Sequence, residues 1–222
     1  MIKVVLFDLD GTLLNRPSSL IKFVESQYER MHACLSHIPK EDYVDRFIKL
    51  DSRGYVWKDK VYGQLIEEFS IRKLTQNDLL DDYLINFKNH CIAFPNLKQI
   101  LFELKSSNYK LGMISNGSGQ FQMDNIKALG ILDFFELILI SENEGISKPN
   151  PMIIQKALDY FQVSAKETVY IGDHPDNDYI AARNLEMFAI WKQDHFYKGF
   201  EAENFVEDLS EIPYVIEKLS NI

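Results

Sequence analysis

Residues 3–12 read Lys3-Val-Val-Leu-Phe-Asp8-Leu-Asp10-Gly-Thr12. Four consecutive apolar residues, two of them β-branched, run into a polar turn. A strand with one wet face alternates apolar and polar residues; this one does not alternate, so it is expected to be buried on both faces of a sheet. The same grammar recurs in Lys110-Leu-Gly-Met-Ile-Ser115, Leu137-Ile-Leu-Ile140, Thr168-Val-Tyr-Ile171 and Phe188-Ala-Ile-Trp191. Between these runs, residues 96–106, 119–129, 151–161 and 177–185 carry helical spacing, and Pro151 suits a helix first turn, where a missing N–H costs nothing. Strand alternating with helix predicts an α/β fold: a doubly wound, Rossmann-like parallel sheet with crossover helices. Residues 204–222 read as a short edge strand and a closing helix.

Residues 16–90 break the alternation. Leu20, Phe23, Val24, Tyr28 and Met31 lie at helical spacing, as do Tyr43, Phe47 and Leu50, then Val61, Leu65, Ile66 and Phe69, then Leu79, Leu80, Tyr83, Leu84 and Phe87. Pro39, Gly54 and Thr75-Gln-Asn-Asp78 separate these sets, the last resembling an N-cap. The expected organisation is a catalytic α/β core from 1–15 and 91–222, with a helical domain of about four helices inserted over 16–90.

At 222 residues the chain suits one large domain or one domain carrying a smaller insert. Lys and Arg number 24 against 33 Asp and Glu, a net charge of −9, which argues against a surface that neutralises nucleic acid or anionic lipid. Two cysteines, Cys34 and Cys91, exclude a disulfide framework and suit a reducing compartment. No apolar run approaches the about 18 residues of a membrane span, and the first run is too short for a signal sequence. A cytoplasmic protein is expected, without nucleic-acid or membrane partners, as a monomer or weak homodimer.

In open α/β sheets ligands bind at the carboxyl ends of the strands, so the polar residues following each strand locate the chemistry. They are Asp8, Asp10 and Thr12; Ser115-Asn116-Gly117; Ser141, Glu142 and Lys148; Gly172-Asp173-His174 to Asp178; and Lys192-Gln-Asp194. Several carboxylates at one point repel and take up protons unless a cation sits among them. Hard oxygen ligands without nitrogen or sulfur neighbours select Mg²⁺, which favours a few carboxylates, waters and a substrate phosphate. Lys148 and Ser115 would then meet phosphate oxygens, and the backbone amides of Asn116 and Gly117 open a helix N-terminus suited to an anion.

Asp8-Leu-Asp10-Gly-Thr12 resembles the first motif of the haloacid dehalogenase superfamily in its phosphatase form. Ser115-Asn-Gly117 is similar to the second motif, Lys148-Pro149-Asn-Pro151 to the third and Gly172-Asp173 with Asp178 to the fourth, in the family's order along essentially the whole chain. The helical insert resembles the C1-type cap of the subfamily. The resemblance implies that Asp8 is the nucleophile forming an aspartyl-phosphate, and that Asp10 is the general acid and then base. It implies that Ser115 and Lys148 bind the transferring phosphoryl group. It also implies that Mg²⁺ is held by the carboxylates of Asp8 and Asp173 and the carbonyl of Asp10, with Asp178 acting directly or through water. The activity implied is Mg²⁺-dependent hydrolysis of a phosphate monoester of a small metabolite. A phosphomutase of the β-phosphoglucomutase type shares all four motifs; Asp10 speaks against a haloacid dehalogenase and against a phosphonatase, and the intact motifs against a non-catalytic binding protein.

Two positions depart from the family pattern. His174 replaces a small residue and is read either as packed or solvated beside its loop or as an imidazole near the outer shell of the implied metal. Asn184-Leu-Glu186 replaces an Ala-Gly turn, with Asn184 expected to take the left-handed conformation. In the insert, Arg53-Gly-Tyr-Val-Trp57-Lys58 is read either as a loop whose Arg53, Trp57 or Lys58 selects the substrate, or as a helix boundary with solvated charges. His32, His37 and His90 have no ligand-like spacing; His195, beside Asp194 after the fifth strand, is within reach of the site but is read as solvated.

Overall fold

The computed structural model describes residues 1–220; the last two residues of the expected closing helix, Asn221 and Ile222, lie outside the described residues. The chain divides into two compact units, Met1–Asn15 with the chain from Ala93 onward, and Arg16–Ile92. The return to the first unit comes at Ala93 rather than at 91. There Ala93 bridges antiparallel to Leu14, and the Phe94 N–H donates to the Leu13 carbonyl at 3.0 Å.

In the first unit, strand β1 (Val4–Phe7) is wholly buried and pairs on both sides, Val4 with Lys110 of β2 (Lys110–Ser115) and with Thr168 of β4 (Thr168–Gly172). With β3 (Leu137–Ile140), β5 (Phe188–Lys192) and β6 (Phe205–Val206), the described residues form a six-stranded sheet of order β3-β2-β1-β4-β5-β6, every neighbouring pair parallel. This is the expected doubly wound α/β fold. The chain leaves β1 toward β2 and β3, then restarts at β4 on the other side of β1. The point where strand order reverses therefore lies between β1 and β4, and crevices form there at the carboxyl ends.

Every strand predicted from an apolar run is present, and the flanking helices follow the spacing. Those of this unit are α6 (Leu97–Ser106), α7 (Gly119–Leu129), α8 (Ser141–Glu144), α9 (Pro151–Phe161), α10 (Ala181–Asn184) and α11 (Ile212–Ser220). Helix α9 opens with Pro151 in its first turn and Asn150 as cap, the Asn150 Oδ1 accepting from the Met152 N–H at 3.0 Å. Its buried residues Ile153, Ile154, Ala157, Leu158 and Phe161 repeat at helical spacing and join Val4, Leu6 and Tyr170 in one core cluster. Because side chains alternate along a strand, Val5 and Phe7 serve the opposite face of the sheet.

Two local readings change. A π-helical stretch begins at Pro175, two residues before the expected start, because the His174 Nδ1 caps it by accepting from the Asp176 and Asn177 N–H groups at 3.1 and 3.3 Å. Asn184 is not left-handed; Glu186 is, at φ 61°. The Met187 N–H reaches the Ala182 carbonyl and the Glu186 N–H the Arg183 carbonyl, a closure in which the left-handed residue must precede a buried hydrophobe. That hydrophobe is Met187, fully buried.

The second unit packs α1 (Arg16–Arg30), α2 (His32–Leu35), α3 (Lys40–Asp51), α4 (Lys58–Glu68) and α5 (Gln76–Asn86) around Phe23, Tyr43, Phe47, Tyr62, Leu65 and Leu79. Helix α5 starts at the expected cap: the Thr75 Oγ1 accepts from the Asp78 N–H at 3.1 Å, and Asp78 Oδ2 accepts from the Thr75 N–H at 2.7 Å. The fully buried Gln27 is satisfied at both ends, donating to the Leu79 carbonyl and Asp82, and accepting from the Tyr62 hydroxyl at 3.0 Å. No helix among the described residues is long and apolar enough to cross a membrane.

Leu6 lies fully buried on the central strand, so Leu6→Ala removes packing on which both neighbouring strands rest. The expected loss is about 2–5 kcal/mol of stability, read as a lower urea midpoint at unchanged slope.

Candidate active site

The turn after β1 aims the first two candidate carboxylates apart. Leu9 gathers the turn, its carbonyl accepting from the Leu13 and Leu14 N–H groups, each at 2.9 Å. Gly11 sits at φ 89°, where L side chains are strained, and a Cβ there would fall 2.2 Å from Asp173 Oδ2. Only glycine lets the β1 turn approach the end of β4 so closely. At the same end of β4, a Cβ on Gly172 would likewise meet Asp178 at 2.4 Å.

Asp8 ends buried, with both carboxylate oxygens engaged: Lys148 Nζ donates to Oδ1 at 2.6 Å and Thr12 Oγ1 to Oδ2 at 3.1 Å. The same ammonium donates to Asp178 Oδ1 at 2.7 Å, and the other oxygen of Asp178 accepts from the His174 N–H at 3.0 Å. Lys148 is itself held from behind. Asn116 clasps its backbone twice, Oδ1 accepting from the Lys148 N–H and Nδ2 donating to the Lys148 carbonyl, both at 2.9 Å. Asp173 completes the group, its carbonyl accepting from the indole of Trp191 at 2.7 Å. Among the described residues Asp8, Asp173 and Asp178 offer carboxylate oxygens within 4.8 Å of one another.

The electrostatics of this group are unbalanced. Burial pushes the Asp8 carboxyl from its ordinary 3.8 up to about 6; Lys148 opposes the rise and Asp178 adds to it. Burial, then repulsion from Asp8 and Asp178, holds the Asp173 carboxyl well above the usual carboxylate range. Burial pulls Lys148 down, but the charges of Asp178 and Asp8 outweigh it and keep the ammonium well above a lysine's ordinary value. One ammonium among three buried carboxylates leaves a deficit of positive charge. An all-oxygen donor set in that condition fits a hard divalent cation.

Asp10 stands outside the three-carboxylate group. Its Oδ2 accepts from Gln122 Nε2 at 2.5 Å, and that same nitrogen lies 2.8 Å from the Oγ of the buried Ser115. Gln122 was not legible as a site residue from motifs; the available signal was an amide, followed three residues on by Asn125, on the helix face that buries Ile126 and Leu129. The other residues expected near an anion are differently placed. The Gly117 N–H donates to Ser141 Oγ at 2.9 Å, and Glu142 Oε2 accepts from the Gly119 N–H at 2.7 Å, so the chain's own groups occupy these amides at the start of α7. Lys192, at the end of β5, is buried over the Phe94 ring at 4.7 Å, and burial lowers its affinity for a proton.

The structure separates the three residues of the Arg53–Lys58 segment. Lys58 is buried on Asp51, to which Arg16 donates twice, at 3.0 and 3.1 Å. Burial raises the Asp51 carboxyl, but Arg16 and Lys58 outweigh it and hold it below its ordinary value. Arg53 takes a left-handed turn at φ 59°, and Trp57 is 74% exposed. Of the histidines, His174 caps the π-helical stretch, His37 and His90 approach the Phe69 and Asn86 carbonyls at 3.0 Å, and His195 is exposed.

The four strand ends match a known pattern beyond their chemistry: the model of the haloacid dehalogenase-like hydrolases aligns with residues 5–192. The chain belongs to this family. It is 31% identical over 201 residues to a glyceraldehyde 3-phosphate phosphatase of Pyrococcus abyssi, covering 86% of this chain and 81% of the relative. With a glyceraldehyde 3-phosphate phosphatase of Methanocaldococcus jannaschii it shares 30% identity over 231 residues, 99% of each chain. The crystal structure of a 2-haloacid dehalogenase from Pseudomonas syringae superimposes with a TM-score of 0.67 at 26% identity, covering 98% of this chain and 99% of that one. The curated relatives place this haloacid dehalogenase-like hydrolase with the phosphatases of its family.

The raised Asp8 carboxyl fixes a sign for pH dependence. A carboxyl raised on folding contributes stability that is fully present below the unfolded value of 3.8 and is lost as pH climbs through about 6. In the presence of EDTA, thermal midpoints should fall between about pH 4 and pH 6, and Asp8→Asn should flatten that fall. Adding Mg²⁺ at pH 7 should raise the midpoint of the unsubstituted protein by mass action.

Proposed function

We propose that this hydrolase cleaves the phosphate monoester of a small metabolite through an aspartyl-phosphate on Asp8, with Mg²⁺ bound beside it. The observation that carries the reading is the division of labour between two carboxylates two residues apart. Asp8 is buried, held at both oxygens and paired with an ammonium, whereas Asp10 accepts from the amide of Gln122. Environments that differ in this way suit one group to attack and the other to proton transfer.

The carboxylates of Asp8 and Asp173 and the carbonyl of Asp10 would hold the cation, with Asp178 contributing charge from behind through its contacts with Lys148 and His174. Bound there, Mg²⁺ supplies neutralisation of the phosphoryl oxygens. Lys148 and Ser115 bind the remaining oxygens of the transferring group, and Asn116 keeps Lys148 in place. Asp8 attacks phosphorus while Asp10 gives its proton to the leaving alcohol. Asp10, now a base, takes a proton from water as the water attacks phosphorus and releases Asp8. Phosphoryl transfer asks little more of a protein than positioning and charge stabilisation.

The helical unit Arg16–Ile92 is proposed as the cap that selects the ester, with Arg53 and Trp57 as reading residues and Lys58 holding the segment through Asp51. The relatives make glyceraldehyde 3-phosphate the first ester of a panel that also holds phosphorylated sugars, nucleotides and short acids. Phosphate release should require Mg²⁺ and stop with EDTA; full activity in excess EDTA would overturn the metal-dependent reading. Arg53→Ala and Trp57→Ala should reorder the panel while largely sparing 4-nitrophenyl phosphate.

Asp8→Asn should reduce turnover to background and leave no acid-stable phosphoenzyme. Asp10→Asn should slow alkyl esters by about 10²–10⁴-fold, with a much smaller effect on 4-nitrophenyl phosphate, whose leaving group needs no proton. Quench experiments on Asp10→Asn should show phosphoenzyme accumulating, because the attacking water has lost its base.

A further inference from the structure

Gln122 and Asn125 are buried amides on the inner face of α7, at positions where Ile126 and Leu129 show that packing favours hydrocarbon. A buried amide is costly unless its donors and acceptor are matched. Gln122 is matched in one orientation only. Its Nε2 lies 2.5 Å from Asp10 Oδ2, 2.8 Å from Ser115 Oγ and 3.1 Å from the Asn116 carbonyl, while its Oε1 accepts from Asn125 Nδ2 at 3.2 Å. Turned over, the amide would set its carbonyl oxygen against the Asp10 carboxylate and the Asn116 carbonyl, and its NH₂ against the donor of Asn125. The donor end is therefore locked toward Asp10. Asp10 sits on a turn rather than on a strand, and Gln122 belongs to a helix packed on the sheet, so the amide ties a loop carboxylate to a rigid element.

We propose that Gln122 is the positioning residue of Asp10. By holding Oδ2 it sets the plane of the carboxyl group, and with it the direction from which the other oxygen meets the leaving group and the attacking water. By touching Ser115 Oγ with the same nitrogen, it fixes that direction relative to the phosphoryl-binding hydroxyl. Asn125 acts one step further back, by preventing the amide from turning. The proposal rests on the acid–base reading of Asp10 given above and adds the residue that aims it.

The test compares Gln122→Met, which keeps length and removes the donor, with Gln122→Glu, which keeps shape and sets an acceptor against Asp10. Both are assayed as Mg²⁺-loaded full-length enzymes, alone and combined with Asp10→Asn, on glyceraldehyde 3-phosphate and 4-nitrophenyl phosphate, with thermal melts to verify folding. Gln122→Met should lower the ratio of alkyl to aryl kcat by about 10–100-fold, with KM for the alkyl ester changed by less than about threefold. Gln122→Glu, which has the same volume, should lower the ratio at least as far. In the Asp10→Asn background neither change should move the ratio further, since residues acting as one unit are non-additive. Equal losses on both esters would show that Gln122 serves only Ser115 or the fold, and would overturn the proposal. So would a shift in ratio that persists after Asp10→Asn. If Asp10→Asn itself leaves the ratio unchanged, the acid–base reading fails and the positioning role with it, an outcome distinct from the first two.

Discussion

The Lys148 ammonium is the point on which the site's geometry converges. It is buried, and it donates at 2.6 Å to Asp8 at the end of β1 and at 2.7 Å to Asp178 beyond the end of β4. Its backbone is clasped by Asn116 at the end of β2. Two strand ends thus share one positive charge, and a third holds the backbone that carries it. In a dry interior such a charge is stabilised only by its partners, and removing one partner of a buried pair typically costs about 3–5 kcal/mol. The arrangement specifies where each strand end must sit, because the ammonium satisfies both carboxylates only at hydrogen-bonding distance.

One ammonium nevertheless does not balance three carboxylates. Burial holds both Asp8 and Asp173 above their ordinary proton affinities, with repulsion from Asp178 adding to the first and from Asp8 and Asp178 to the second, so the site retains an electrostatic deficit. The close packing that creates the deficit depends on backbone without side chains. At Gly11 and Gly172 any Cβ would lie within 2.5 Å of Asp173 or Asp178.

The helical unit resolves its buried charges internally. Asp51 receives Arg16 and Lys58 together, and Gln27 is satisfied by Leu79, Asp82 and the Tyr62 hydroxyl. These networks tie α1 to α3, α4 and α5 and hold the start of the Arg53–Lys58 segment in a fixed shape. Lys58 is buried against Asp51 there, whereas the exposed Trp57 presents a large apolar surface to its surroundings.

By itself the sequence determined the strands, the order of helices and strands, and the residues at the strand ends. A run such as Val4–Phe7 has no polar alternation and can be satisfied only between two layers, and the residue that follows a buried strand necessarily emerges at the sheet's edge. Asp8, Ser115 and Asp173 were legible as strand-end residues for that reason, Lys148 beyond α8 only through its motif with Pro149, and the cap at Thr75 because its signal is local. Only the tertiary structure decided which side chain meets which. Gln122 reaches Asp10 across 112 positions, the Asn116 side chain holds the backbone of Lys148, and Ser141 and Glu142 take the Gly117 and Gly119 amides at the start of α7. It also decided that Glu186, not Asn184, bears the left-handed turn, because the depth at which Met187 is buried sets where the helix must end. Backbone periodicity is written in neighbouring residues, but the pairing of polar groups is written in the fold, where distant elements compete for each donor and acceptor.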